Sequence, residues 1–443
     1  MPARIMLAGV LAMMLAAPAL GANQQDWEDC QGNDADRSIA GCTRVINDRS
    51  ESEYTRVMAY NNRGNAWRRK RDFDRAIADY SEAIKLDPQF VRAYNGRGIA
   101  WREKKDLDRA IADYDQAIKL DPQDAVVYFN RGLAWRDKND LDRAVADFTD
   151  AIRLDPKDPD YFYNRGNAWR RKGDLDRAIA DYGEAIKLNP KFAQGYNSRG
   201  IAWRDKGEPE RAIADYSEAI QLDPKYTLAY YNRALVWRDQ GEFDRAVADF
   251  TEAIKVDATD PDFFNNRGLA LRDKGGFDRA IADFTEAIRL RPRGPGPYFN
   301  RGTAHIYSGA PAKALADFNQ AAELNPGFAY NALWADIAAQ RSQAPSRLAQ
   351  VAAKIDLGKW PGPVLRLFLG QLTTAGALAM ADSPNAKTKR EQVCEANFYS
   401  GIWELRQGAK ESAARFFRLA ADGCPRNFDE RFAAGAELKQ LGQ

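Results

Sequence analysis

Residues 91–124 read VRAYNGRGIAWREKKDLDRAIADYDQAIKLDPQD, and variants of this stretch follow one another without a gap from 57 to 328. The dipeptides Arg63-Gly64, Arg97-Gly98, Arg131-Gly132, Arg165-Gly166, Arg199-Gly200, Arg233-Ala234, Arg267-Gly268 and Arg301-Gly302 mark a constant step of 34 residues. A fixed period of this size is the mark of a solenoid, in which each unit buries its apolar face against the next. Eight copies start at 57, 91, 125, 159, 193, 227, 261 and 295. Inside the quoted copy the pattern predicts one helix over Arg92–Lys104 and a second over Asp108–Leu120. In the second, Ala110, Ile111, Tyr114, Ala117 and Ile118 fall on one helical face. Lys105-Asp106 forms the turn between them, and later copies place Gly173, Gly207, Gly241, Gly275 or Gly309 there. Asp121-Pro122 ends the second helix, because proline disfavours helix at the residue before it. Gly98, Ala110 and Ala117 leave room for close helix packing. The fold class is therefore all-α.

The chain has 443 residues, a length that alone would suggest about three ordinary domains. Lys+Arg total 65 against 63 Asp+Glu, and that balance argues against a nucleic-acid partner. His305 is the one histidine, which nearly removes histidine acid–base chemistry and histidine-rich metal sites. It takes the place of a repeat tryptophan and is expected to be a packed residue. No phosphate-cradling glycine loop, nucleophile elbow or zinc spacing occurs, so no enzyme, cofactor or metal is expected. In residues 1–22, MPARIMLAGVLAMMLAAPALGA, Arg4 precedes an apolar run from Ile5 to Leu15 and then small residues. This layout predicts a secretory signal peptide cleaved after Gly21 or Ala22. The alternative is an uncleaved anchor helix, for which the run is short. No later stretch approaches a membrane span, so the mature chain is expected in the periplasm without a stable membrane anchor. Export would favour paired cysteines over reduced ones.

Tyr94, Gly98, Trp101, Ala110, Tyr114, Ala117 and Pro122, recurring from copy to copy, resemble the signature of the tetratricopeptide repeat family. The resemblance spans 57–328 and implies antiparallel helix pairs stacked into a right-handed superhelix. It also implies that first helices line a concave face which binds peptides or proteins and rarely catalyses. Residues 23–56 read as an N-terminal cap, since Asp36-Arg37-Ser38-Ile39-Ala40 nearly copies Asp74-Arg75-Ala76-Ile77-Ala78. This predicts a second helix over 34–47, Cys42 in the slot of Tyr80, and a short helix near Gln24–Cys30. Residues 394–427 read as a degenerate repeat with Gly401, Gly408, Ala413, Phe417, Ala420 and Pro425 in signature slots. Cys394 would start its first helix and Cys424 end its second. Bonds Cys30–Cys42 and Cys394–Cys424 are favoured over the two other connectivities, four reduced thiols being the alternative. Residues 329–393 form a connector with expected helices at Tyr330–Arg341, Pro345–Leu357 and Val364–Leu372, and a largely irregular Thr373–Gln392. Residues 428–443 make a terminal helix. Trp360-Pro361, Leu367-Phe368-Leu369-Gly370, Cys394-Glu395-Ala396, Phe398-Tyr399 and Cys424-Pro425 together resemble the C-terminal part of NlpI-type periplasmic proteins. That resemblance implies an envelope adaptor, although the lipid-anchoring cysteine of those proteins is missing from this sequence.

Candidate ligand residues follow from slots counted within each copy. The sixth slot holds Asn62, Asn130, Asn164, Asn232, Asn266 and Asn300, interrupted by Gly96 and Ser198. A carboxamide donates and accepts at once, so a row of them can pair with any peptide backbone. The row is similar to the asparagine ladder in the repeat domain of O-linked N-acetylglucosamine transferase. The alternative is that each amide bonds the neighbouring repeat. The twelfth slot holds Arg68, Arg102, Arg136, Arg170, Arg204, Arg238 and Arg272, a wall that could grip carboxylates. Asp79 and its successors could instead neutralise arginine, with Arg75 and Asp79 as a candidate pair. Arg63 and its successors are expected to be structural, and the tryptophans Trp67, Trp101, Trp135, Trp169, Trp203 and Trp237 to be core. In the variable fifth slot Phe129, Tyr163 and Tyr231 would form an apolar stretch. The sequence thus points to a non-catalytic exported adaptor for an extended peptide or partner protein. A solenoid that binds cell-wall glycan is the second reading.

Overall fold

A computed structural model describes residues 24–425 and 428–443, so the leader at 1–22 and the frame end at 427 lie outside the described residues. Among the described residues there are helices and no strands. The N-terminal cap is α1 (Gln24–Gln31) and α2 (Ala35–Asn47). The repeats follow as pairs: α3 (Glu53–Arg69) with α4 (Phe73–Leu86), α5 (Val91–Glu103) with α6 (Leu107–Leu120), α7 (Ala125–Asp137) with α8 (Leu141–Leu154), and α9 (Pro159–Arg171) with α10 (Leu175–Leu188). The next are α11 (Ala193–Lys206) with α12 (Pro209–Leu222), α13 (Thr227–Gln240) with α14 (Phe243–Val256), α15 (Pro261–Asp273) with α16 (Phe277–Leu290), and α17 (Pro295–Tyr307) with α18 (Pro311–Leu324). The chain ends with α19 (Ala329–Arg341), α20 (Leu348–Ala352), α21 (Gly362–Phe368), α22 (Thr374–Ala379), α23 (Ala386–Arg406), α24 (Lys410–Gly423) and α25 (Asp429–Gln440). The chain divides into two compact units, one ending at Lys191 and one running from Phe192 to Gln443.

Local chemistry sets each hairpin. Asp72, Asp106, Asp140 and Asp174 cap the second helices of the first four repeats by accepting from the amide three residues on. The turn before each cap needs a left-handed residue. Gly173 and its successors supply it without strain, whereas Arg71, Lys105 and Asn139 adopt φ of 62°, 66° and 64° in the first three repeats. The fully buried aromatic of each repeat is the Tyr80, Tyr114, Phe148, Tyr182, Tyr216, Phe250, Phe284 and Phe318 series. It lies against the glycine of the first helix, and a Cβ on Gly98 would come within 2.6 Å of the Tyr114 ring. The tryptophans are not core in that sense. Trp67 to Trp237 are half-buried, with Arg75, Arg109, Arg143, Arg177, Arg211 and Arg245 stacked 4.0–4.7 Å over their rings.

One charged lock recurs in every repeat. The seventh-slot arginine forks onto an aspartate of its own second helix: Arg63 on Asp79, Arg97 on Asp113, Arg131 on Asp147, Arg165 on Asp181, Arg199 on Asp215, Arg233 on Asp249, Arg267 on Asp283 and Arg301 on Asp317, at 2.7–2.9 Å. Except at Arg199, where Gly183 offers no side chain, its third nitrogen donates to the preceding second helix, as Arg97 does to Ser81, Arg131 to Asp115 and Arg267 to Thr251. The lock therefore sets both the hairpin and the step to the next repeat. It also corrects the expected Arg75–Asp79 pair. Arg75 sits on the exposed side with Asp72, while Asp79 faces the first helix.

The C-terminal segment departs most from the sequence pattern. Within Pro345–Leu357 only α20 is helical, because Leu348 and Ala352 are its only buried residues. The expected Val364–Leu372 helix is displaced to Gly362–Phe368 and stops before the left-handed Gly370. Asn385 caps α23 at Ala386, so Cys394 lies inside that 21-residue helix rather than at its start. Bonds join Cys30 to Cys42 and Cys394 to Cys424.

Candidate functional site

Within each unit, successive first helices touch one another, as α3 does α5 and α5 does α7, while successive second helices meet only marginally. First helices therefore form the inner wall, and their fifth, sixth and twelfth slots face along it. Most of the amide row on this wall is already bonded within the protein. Asn130, Asn232 and Asn300 donate to Asn95, Asn197 and Asn265 of the preceding repeat at 2.9–3.0 Å. Asn164 donates to the Asp160 carbonyl and accepts from Arg136, and Asn266 does the same with Asp262 and Arg238. Asn62 makes no side-chain hydrogen bond among the described residues. The free ladder is thus reduced mainly to Asn62, because each later amide is bonded within its own helix or to the preceding repeat.

The arginine wall is graded. Arg136 holds Asp137 as well as Asn164, Arg204 reaches Asp205 at 3.3 Å, and Arg170 acts on the Tyr182 phenol. Arg102 has only Glu103 and Asp137, at 3.9 and 3.8 Å, and its buried Nη1 has no partner among the described residues. The same holds for the Nε of Arg68. In the fifth slot Phe129 packs on Phe148 and Tyr161, Tyr163 on Tyr182, and Tyr231 on Phe250 and Phe263. Phe129 and Tyr163 belong to the first unit and Tyr231 to the second, so the single apolar stretch is not formed within either one.

Arg272 differs from the rest of its wall. It is 2% exposed and donates to Asp273, to Thr303 and, at 2.7 Å, to Asp429 of the terminal helix α25. Phe432 of the same helix lies 4.7 Å from the guanidinium and packs edge-on against Phe277 and Tyr307. One turn further on, Glu437 accepts from Tyr307 at 3.1 Å and from Arg341 at 2.5 Å. The inner wall of the last repeats is therefore occupied by the chain's own C-terminal helix, and Arg272 is not available to a ligand. A cavity of about 610 Å³, lined by Phe243, Phe277, Tyr307 and Phe432, remains beside it. Burial and the nearby Glu395 push the Glu430 carboxyl up to about 8, and Tyr399 donates to it at 3.2 Å. Asp429, Phe432 and Glu437 were not singled out by the sequence. The signal was a break in the repeat: the thirteenth slot is charged from Arg69 to Asp273 but is Tyr307 in the last copy, where Thr303 also replaces an aliphatic residue or an asparagine.

His305 is mostly buried 3.9 Å from Asp317, and desolvation lowers its affinity for a proton. Among the described residues no helix is long and apolar enough to cross a membrane.

Six matches to the family model of the tetratricopeptide repeat cover residues 61–125, 129–191, 163–227, 198–262, 231–295 and 265–329. The chain belongs to the tetratricopeptide repeat family. Among solved structures it is similar to MamA, with 28% identity over 37% of this chain and 95% of that one, at a TM-score of 0.35. It is similar also to YrrB, described as a TPR protein with an unusual peptide-binding site, at 22% identity, 44% and 97% coverage and a TM-score of 0.37. A tetratricopeptide repeat protein from Parabacteroides merdae ATCC 43184 is 19% identical over 56% of this chain and 98% of that one, at a TM-score of 0.44.

Proposed function

We propose that this protein is a non-catalytic, exported scaffold that captures a polypeptide on the inner wall of its tetratricopeptide repeats. The observation that carries the reading is α25 itself, a helix already held on that wall through Arg272, Tyr307 and Phe277. What the wall does for its own helix in the last repeats, it can do for a partner's in the earlier ones. Mechanism is then passive. Half-buried arginines offer fixed guanidinium forks, aromatic and aliphatic residues of the same wall bury an apolar face, and no bond is made or broken. Periplasmic residence is supported by the leader pattern at 1–22 and by two cysteine pairs.

The glycan-binding alternative gains nothing from the repeat tryptophans, because arginines already cover faces that would stack on sugars. Co-sedimentation with purified cell-wall sacculi, run beside capture of a panel of labelled polypeptides, tests the choice. Polypeptide capture with the protein left in the supernatant is expected. Pelleting with sacculi and no polypeptide bound would replace the scaffold with a glycan binder.

A further inference from the structure

We propose that Arg68 and Arg102 on the inner wall of the first two repeats, with Phe73 and Tyr114 of the adjoining second helices, form a site for a partner helix carrying a carboxylate and, three residues later, an aromatic ring. The inference rests on the scaffold reading and names the chemistry of its ligand.

The second unit displays that chemistry at the same slots. There Asp429 accepts from Arg272, and Phe432, three residues on and so on the same helical face, covers the guanidinium and meets Phe277. Arg68 and Phe73 repeat the spacing of Arg272 and Phe277, and Phe73 is half-buried like its counterpart. What Arg272 has and the first repeats lack is a close carboxylate on a docked helix and a hydroxyl acceptor opposite. Its Nη1 donates to Thr303, whereas the corresponding residues opposite Arg68 and Arg102 are Ile99 and Leu133, which accept nothing. A nitrogen of each arginine is left buried without a hydrogen bond among the described residues.

The Tyr114 hydroxyl supplies an independent sign. Its ring is fully buried, and the oxygen has no partner among the described residues. In the neighbouring repeat Tyr80 donates to Asn65 at 2.7 Å, but the slot of Asn65 is Ile99 beside Tyr114. Arg102 and Arg68 both act on this phenol against the effect of burial. Buried polar atoms are costly when unmatched, and a carboxylate docked against Arg68 and Arg102 would supply an acceptor that the chain itself does not. Asn62, in the same wall, is uncommitted, whereas the space at Gly96 is filled by the Tyr80 ring.

The test uses the intact protein and a labelled synthetic peptide of residues 428–443, FDERFAAGAELKQLGQ, followed by fluorescence anisotropy at low salt. Saturable binding is expected. It should weaken about tenfold in the Arg68→Ala/Arg102→Ala variant and about tenfold when the peptide carries Asp429→Asn, the loss of one charge-assisted hydrogen bond. Tyr114→Phe, which removes one oxygen and leaves the packing intact, should weaken it about threefold and keeps the test valid if the double variant unfolds. Absence of binding to the wild-type protein overturns the site. So does binding indifferent to Tyr114→Phe and the double variant, or binding abolished only by Arg272→Ala. If this peptide fails while other polypeptides still bind the inner wall, the site falls and the scaffold reading stands. If none binds, both fall.

Discussion

Arg102 and Arg272 stand in the same slot of the same repeat motif, yet one is half-served and the other completely enclosed. Around Arg272 the terminal helix brings Asp429 and Phe432, and Thr303 takes the remaining nitrogen. Around Arg102 the nearest carboxylates are at 3.8 and 3.9 Å, and leucine stands where threonine stood. Identical backbones therefore carry different chemistry according to what covers them. The lesson is that a solenoid can be built from one locked module, with the seventh-slot arginine and its aspartate as the lock, while its inner wall is filled at one end and left for a guest at the other.

The largest contrast is expected from removing each arginine in turn. Arg272→Ala strands the buried end of α25 and should cost about 3 kcal/mol in chemical denaturation, the usual penalty for breaking a buried pair. Arg102→Ala should change stability by less than about 1 kcal/mol. Equal losses would mean that the two slots are equally structural and would erase the comparison.

A second contrast is in pH. Glu430 at the base of α25 is fully buried, with Glu395, Asp429 and Tyr399 around it, and its carboxyl is pushed up to about 8. The folded state thus holds a proton that the unfolded chain gives up near the usual value of 4.5. The associated stability is complete below that value and is lost as pH rises through about 8. Glu430→Gln should therefore raise the melting temperature at pH 8 relative to the wild type, with the gain shrinking toward pH 4.5. A gain independent of pH would rule out titration of Glu430 as its source.

The smallest contrast separates two tyrosines in adjacent repeats. Tyr80→Phe deletes the bond to Asn65 and should cost about 1 kcal/mol. Tyr114→Phe removes a hydroxyl that has no internal partner and should be neutral or slightly stabilising in urea unfolding. A matching loss at Tyr114 would reveal an internal partner for it.

The period of the sequence was enough to read the helix pairs of the repeats, because a 34-residue step constrains every slot at once. It was not enough to choose charge partners. Arg75 and Asp79 are near in sequence and in helical phase, but the hairpin turns Asp79 toward Arg63 on the facing helix. Nor could it foresee where the expected terminal helix docks, which joins residues as far apart as Arg272 and Asp429. Only the departures at Thr303 and Tyr307 hinted that the last repeat meets a different neighbour. The connector from 342 to 385 was least legible, since its short helices follow no period and only α22 has a side-chain cap, Thr373.

The most direct measurement of the central claim places a photo-crosslinking residue at Asn62 on the inner wall or at the exposed Lys85 on a second helix, and irradiates the protein in intact envelopes. The scaffold reading predicts polypeptide adducts from position 62, suppressed by excess acidic–aromatic peptide, and few from position 85. Adducts from position 85 alone, or none from 62 under conditions where the protein is folded and exported, would contradict it.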